Sequence, residues 1–428
     1  MINFLFALWI ATMPLVHSFF DLIGINKQLI GINFDIPMQI VFVGIFYLLY
    51  QLFKTVFTFN FLELKNSLSK CFKKKYTYIL LSIILLIFIS TLINGFHAYT
   101  LFYIGIIVIF HCVYNLDKFQ LKKFINVSIF VTAITCTMGL LDPFGNFMPG
   151  FTGELSFPLS NQYLNPNYVG YLVAMCLAIV ILKLFYAKDI KNYILYGLIF
   201  GIYSLYIFMN ASFVPITGVF FILVVLIVFF WIKNKKFPFK LLYLFLIYAS
   251  FAFIVELIPN INSYRTCGFN YYLEFIAVFD NIFGTDILSI FNIERIAGAD
   301  GWDRDNLALQ TLIKLSPFNG NIVHFFFGYG ALGIVGIAPH NVYLCLWFDY
   351  GIFAMLLLLV LQICYFIKFF KSEKTDMLII LSTTLLIMMV MGLFGGITSY
   401  WIWLQVGAMA GGYKIMNNQK HKGIINNQ

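Results

Sequence analysis

The sequence predicts an all-α polytopic membrane protein with about twelve transmembrane helices and one large outer loop that carries amphipathic helices. Three observations predict it. Of 428 residues, 61% are hydrophobic and 11% charged, more apolar surface than a soluble domain of this length can hide. Apolar windows of about 20 residues, enough for a helix to cross the hydrocarbon core, recur along nearly the whole chain. The lysines collect in alternate connections between those windows, as cytoplasmic retention of positive charge requires.

Taken in order, the apolar windows lie near residues 2–20, 36–53, 77–95, 98–114, 124–141, 166–185, 193–209, 213–232, 241–258, 341–367, 377–394 and 400–414. Lysines cluster between the second and third windows (Lys54 to Lys75), after the fourth (Lys118, Lys122, Lys123), after the sixth (Lys183, Lys188, Lys191) and after the eighth (Lys233 to Lys240). They return after the tenth (Lys368, Lys371, Lys374) and in the tail (Lys414, Lys420, Lys422). All of these fall on one side of a twelve-span chain, which places both termini in the cytoplasm. The net charge of +9 is thus read as membrane topology, and nucleic acid is not an expected partner. The first window has neither a basic leader nor a small-residue cleavage site, so it reads as a retained helix. The seven cysteines are scattered, mostly within spans, and suggest neither a disulfide framework nor a Cys-x-x-Cys metal site.

Two outer segments differ from the short connections. Residues 142–165, "DPFGNFMPGFTGELSFPLSNQYLN", read as irregular loop and lead into "NPN", where Asn165 and Asn167 flank the start of the sixth window. Residues 259–339 form a loop long enough to suggest function. Within it, "NYYLEFIAVFDNIFG" from Asn270 reads as an amphipathic helix on the membrane face. "DRDNLALQTLIKL" from Asp303 reads as a second helix with acids in its first turn. The chain's three arginines, Arg265, Arg295 and Arg304, all fall in this one loop. Acids outnumber bases there, so the arginines do not belong to a general basic patch.

The candidate site follows that loop, in "GYGALGIVGIAPHNVYLCLWFDYG", residues 328–351. A histidine at a membrane edge ordinarily serves as an interfacial polar anchor. Three features favour a chemical role for His340. Pro339 suits a helix start, and the positive end of a helix dipole keeps an imidazole neutral, as a general base must be. Glycines such as Gly328 and Gly330 allow close backbone approach to a ligand. Arginines on the same side offer planar forks that match phosphate oxygens. Each arginine also has an ordinary reading: Arg295 pairs with Glu294, Arg304 is neutralised by Asp303 and Asp305, and Arg265 anchors at the interface. Asp349 lies about half a turn off the His340 face of an ideal helix, so it reads as structural or supporting. Glu256 is ambiguous in the same way. Neither a metal cluster nor a nucleotide-binding loop is apparent, so no metal and no cofactor are expected.

The order of these features resembles the bacterial O-antigen polymerase and O-antigen ligase superfamily. The match lies in His340-Asn341-Val342-Tyr343-Leu344 followed by Asp349-Tyr350-Gly351, in the Gly-x-Gly turn of "FFFGYG" (325–330), in "GWDRDNLALQTL" (301–312) and in "NPN" (165–167). The Ser-Arg element that the family often has is replaced here by Asn210-Ala211-Ser212-Phe213. The resemblance implies a metal-independent glycosyltransferase of the bacterial inner membrane. Its active site would face the periplasm and take undecaprenyl-pyrophosphate-linked oligosaccharides as donor and acceptor. His340 would be the general base and Arg304 would stabilise the pyrophosphate. Arg265, Arg295, Asn341, Gly328, Gly330 and Tyr343 would contact substrate, with Asn165, Asn167 and Asp349 in secondary roles. A chain-length regulator is a further expected partner. The Phe-, Ile- and Asn-rich composition and the missing Ser-Arg favour polymerase over ligase, and a capsule polymerase would look the same. A twelve-helix transporter or lipid-linked oligosaccharide flippase is the reading from another class.

Overall fold

In the computed structural model the described residues of the apolar windows are mostly helical, and all but the window at 341–367 correspond to a single helix. The structure describes residues 2–22, 28–29, 32–33, 36–58, 75–96, 99–141, 166–209, 213–256, 311–316, 322–330, 341–372, 375–394 and 400–425. The helices are α1 (Ile2–Leu22), α2 (Ile36–Thr58), α3 (Lys75–Asn94), α4 (Tyr99–Tyr114), α5 (Lys118–Leu141), α6 (Pro166–Tyr186) and α7 (Ile190–Met209). They continue as α8 (Phe213–Asn234), α9 (Phe239–Glu256), α10 (Ile322–Phe327), α11 (Val342–Tyr350), α12 (Ile352–Lys371), α13 (Asp376–Phe394) and α14 (Tyr400–Ile425). A two-residue antiparallel pair, Gln28–Leu29 with Ile32–Asn33, is the exception to helix among the described residues. The predicted amphipathic helix at 270–284 lies outside the described residues. Of the one predicted from Asp303, residues 311–315 are helical.

Five described helical stretches are long and apolar enough to cross a membrane: Lys118–Leu141, Ile190–Met209, Val214–Asn234, Ile352–Lys371 and Asp376–Leu393. The exposed surfaces of a shorter apolar helix, α3, and of one of these five, α12, agree. On α3, Leu81, Leu85, Phe88 and Leu92 are exposed while Ile83, Ile87 and Ser90 are buried. Phe353, Leu356, Val360, Ile363, Ile367 and Phe370 form a similar exposed stripe on α12. Apolar stripes this long facing outward are what lipid contact requires.

Some boundaries differ from those expected. Helix α5 begins at Lys118, six residues before the predicted window, because Asp117 starts a capping box. Asp117 Oδ1 accepts the Gln120 N–H at 2.8 Å, and Gln120 Oε1 accepts the Asp117 N–H at 3.2 Å. The window at 341–367 is not one helix. It divides at Gly351 into α11, about 13 Å long and too short to cross a bilayer, and α12, which has the length.

The chain divides into two compact units, Met1–Thr132 with Arg304–Gln428, and Ala133–Asp303. In the first, α4 packs between α2 and α14, and also touches α1 and α3. Small residues make those crossings close, as packing between membrane helices demands. A Cβ on Gly105 would stand 2.8 Å from the Ile40 carbonyl oxygen, and one on Gly407 would stand 2.9 Å from that of Phe110. Helix α13 lies against α14, where the buried Thr384 hydroxyl meets Gln405 Oε1 at 2.8 Å. In the second unit α6 packs against α7, α8 and α9, and its residues 171–182 are all buried. Phe208 and Phe220 each bring their rings to 5.0 Å from that of Tyr248, tying α7 and α8 to α9.

These crossings predict which glycines tolerate a side chain. Gly105→Leu should destabilise by about 2 kcal/mol or more, since the Ile40 carbonyl and the branched Ile40 side chain both block it. Gly197→Ala, where an added Cβ meets nothing within 4 Å, should be neutral or slightly stabilising. Thermal unfolding of both variants in the same detergent checks the contrast.

Candidate functional site

The described part of the candidate site is the short helix α11 and what holds its two ends. At the start, Asn341 is extended (φ −149°, ψ 119°) and acts as N-cap. Its Oδ1 accepts the N–H groups of Tyr343 at 2.9 Å and Leu344 at 3.0 Å. Its Nδ2 donates to the Leu393 carbonyl at 2.9 Å, one of the last carbonyls of α13, which has no acceptor role within its own helix. One side chain therefore closes the start of α11 and fastens it to the end of α13. The expectation from Pro339 put the helix start one or two residues earlier. An asparagine side chain can satisfy the orphaned first-turn N–H groups, and it wins. His340 is the residue next to this cap in the chain and itself lies outside the described residues.

At the other end, α11 stops where its final carbonyls find donors from elsewhere. Tyr329 N–H donates to the Phe348 carbonyl at 2.8 Å, and Gly330 N–H to that of Asp349 at 3.0 Å. The Ser90 hydroxyl of α3 donates to the same Asp349 carbonyl at 3.0 Å. The Gly328-Tyr329-Gly330 turn thus works as a C-terminal cap. Gly328 has φ +71°, and a Cβ there would overlap the Asp349 carbonyl. Its own carbonyl accepts from Asn94 Nδ2 at 3.2 Å and contacts His324 Nδ1 at 2.8 Å. The His324 ring stacks on Tyr329 at 4.1 Å, Tyr329 stacks on Phe348 at 4.9 Å, and the Tyr329 hydroxyl donates to the Lys314 carbonyl at 3.0 Å. The close approach that Gly328 permits is made to α11.

Gly351 then turns the chain. With φ +89° it approaches the Phe326 carbonyl so closely that a Cβ would overlap it, and Trp347 Nε1 donates to the neighbouring Phe325 carbonyl at 3.1 Å. The Tyr343 hydroxyl donates to Gln362 Oε1 at 3.1 Å across a separation of 19 residues. On one straight helix those residues would stand about 28 Å apart. Helix α11 therefore bends back beside α12 and does not extend it. Asp349 is buried, and its carbonyl is the point where Ser90 and Gly330 meet.

The structure brings together Asn341, Tyr343, Asp349, Gly328 and Gly330 of the predicted site. His340, Arg304, Arg265, Arg295 and Asn165 lie outside the described residues. Asn167 falls in the first turn of α6, in the other unit. Ser90, Asn94, His324 and Gln362 were not predicted as members. Ser90 and Asn94 did carry a signal, two polar residues four apart near the end of an apolar helix, but nothing in the sequence names their partners more than 200 residues away. No family model matches the chain, and a search of curated proteins finds no match to it.

The cap at Gly351 is open to test through Cys345, buried on α11. Gly351→Ala combines an unfavourable φ with backbone overlap and should cost about 3 kcal/mol. Maleimide labelling of Cys345, followed by mass spectrometry of its peptide, should rise sharply. Ser90→Ala removes one of two donors to the Asp349 carbonyl, at a cost of about 1 kcal/mol, and should leave Cys345 protected.

Proposed function

We propose that the chain is an inverting glycosyltransferase of the bacterial inner membrane that polymerises lipid-linked oligosaccharide repeat units, as for an O-antigen or related polysaccharide. It crosses the membrane about twelve times with both termini in the cytoplasm, and the loop ending at Pro339 faces the periplasm. The observation that carries the reading is Asn341. The resemblance singles out the His340-Asn341 pair, and Asn341 is the side chain that caps α11 and fastens it to α13. A general base needs a fixed position relative to the proton that it removes, and this anchorage lies one residue away along the chain.

In the reaction, His340 takes the proton of the acceptor hydroxyl as that oxygen attacks the anomeric carbon. The new glycosidic C–O bond forms on the face opposite the pyrophosphate, so the configuration inverts. The bond between the anomeric carbon and the phosphate oxygen breaks, and the electron pair leaves with undecaprenyl pyrophosphate. Arg304, with Arg265 or Arg295, stabilises the charge that grows there. The proton on His340 passes to solvent. The cleaved pyrophosphate linkage supplies the driving force. Tyr343 and Asn341, whose side chains are engaged with Gln362 and with the cap, act on the substrate by placing α11, and a chain-length regulator acts on the product.

The test is reconstitution of the purified chain with undecaprenyl-pyrophosphate repeat units, read as a glycan ladder on a gel. A ladder that forms without lipid A-core and is lost in His340→Ala supports the polymerase. Transfer that appears only when lipid A-core and preformed polymer are added makes the chain a ligase instead. No transfer under either condition, with folding verified and the correct repeat-unit donor supplied, moves the transporter reading to the front. His340→Ala should lower the rate about a hundredfold or more, and Arg304→Ala by a similar factor. Asn341→Asp separates cap from tether: aspartate still caps but cannot donate to Leu393. It should keep the fold while the rate falls with little change in KM, and full activity would show that the tether is dispensable.

A further inference from the structure

In the second unit, short connections at residues 187–189 and 235–238 bring the end of α6, the start of α7, the end of α8 and the start of α9 to one end of the bundle. Between residues 183 and 240 this end gathers Lys183, Lys188, Lys191, Lys233, Lys235, Lys236 and Lys240 against a single acid, Asp189. That acid is already engaged. Its Oδ1 accepts the Asn192 N–H at 2.8 Å and its Oδ2 accepts from Asn192 Nδ2 at 2.6 Å. Two of the lysines are held in place by tyrosines. Lys183 Nζ donates to the Tyr196 hydroxyl at 3.0 Å and lies 4.9 Å from that ring's centroid. Lys240 Nζ donates to the Tyr193 hydroxyl and lies 5.1 Å from its ring centroid.

Tyr193 and Tyr196 are three residues apart and so share a face of α7. A hydroxyl that accepts from an ammonium keeps its own proton to donate. Each pair therefore combines a cation with a neutral O–H donor. Two phosphate oxygens match that pattern. The surroundings are apolar: Trp231, Phe239 and Tyr243 are each more than half exposed at this end, and Ile194 and Leu198 are exposed further along α7. Aromatic side chains in this position mark the level of lipid headgroups.

We propose that this end of α6–α9 binds the phosphodiester of an anionic phospholipid. The headgroup sits between the Lys183–Tyr196 and Lys240–Tyr193 pairs, with its acyl chains along the exposed face of α7. This differs from diffuse attraction between lysines and an anionic leaflet, because it depends on two uncharged hydroxyls. It does not rest on the proposed transferase activity.

Native mass spectrometry of the full-length chain, released from detergent with phosphatidylglycerol, phosphatidylcholine or inorganic phosphate, tests it. Phosphatidylglycerol should be retained in preference to phosphatidylcholine. The Tyr193→Phe/Tyr196→Phe variant keeps both rings and every charge, yet should retain about tenfold less phosphatidylglycerol. Lys183→Gln/Lys240→Gln should lose more than Lys235→Gln/Lys236→Gln, although each removes two charges. Unchanged retention in the phenylalanine variant, or equal loss in the two glutamine variants, would reduce the site to diffuse charge. Full displacement of the lipid by millimolar inorganic phosphate would overturn the lipid assignment in favour of a soluble anion.

Discussion

Backbone groups without water must find partners inside the protein, and α11 shows how far that constraint reaches. A helix of nine residues leaves as many terminal N–H and C=O groups unpaired as a helix of thirty. In apolar surroundings each would cost several kcal/mol. Asn341 meets the need at one end; Tyr329, Gly330 and Ser90 meet it at the other. The partners come from the cap residue itself, from α3 and from the turn after α10, and the cap in turn donates to the end of α13. The requirement of one short helix thus draws four parts of the unit to one place. The turn and the break at Gly351 are consequences of it, since only glycine gives Gly328 and Gly351 both the φ and the clearance that these contacts need.

A second constraint arranges the longer helices. Lipid is as apolar as their side chains, so burial alone does not favour helix against helix. Close backbone approach does, and α4 achieves it on two sides, with Gly105 against α2 and with Gly407 of α14 against Phe110. On α3 and α12 a stripe of bulky apolar residues faces outward. Polar side chains such as Ser90, Asn94, Gln362 and Thr384 join separate elements by hydrogen bonds.

Much of this was legible in the chain. Apolar runs about twenty residues long have one stable form in a membrane, so the described residues of the predicted windows are mostly helical. Asn341 was singled out as a substrate contact, and the structure gives its side chain the further role of capping α11. The reading went astray where an apolar run hid a break. Residues 341–367 look like one span because hydropathy does not register that Gly351 must pass the Phe326 carbonyl. The start of α5 was missed for the opposite reason, since Lys118, Lys122 and Lys123 read as a loop until the Asp117 capping box is recognised. The glycines at 328 and 330 look like a ligand loop in sequence, and their nearest backbone partner is α11.

Composition, hydropathy and lysine spacing by themselves determined a helical chain with the lengths and apolarity of a membrane protein. These properties are local, set by each segment's exchange between water and lipid. The tertiary structure decided which polar groups meet: Ser90 with the Asp349 carbonyl, Asn94 with Gly328, Tyr343 with Gln362, Asn341 with the Leu393 carbonyl. Each bond joins residues that lie 19 to 259 positions apart, and a hydrogen bond over such a separation depends on helix packing that no local pattern encodes.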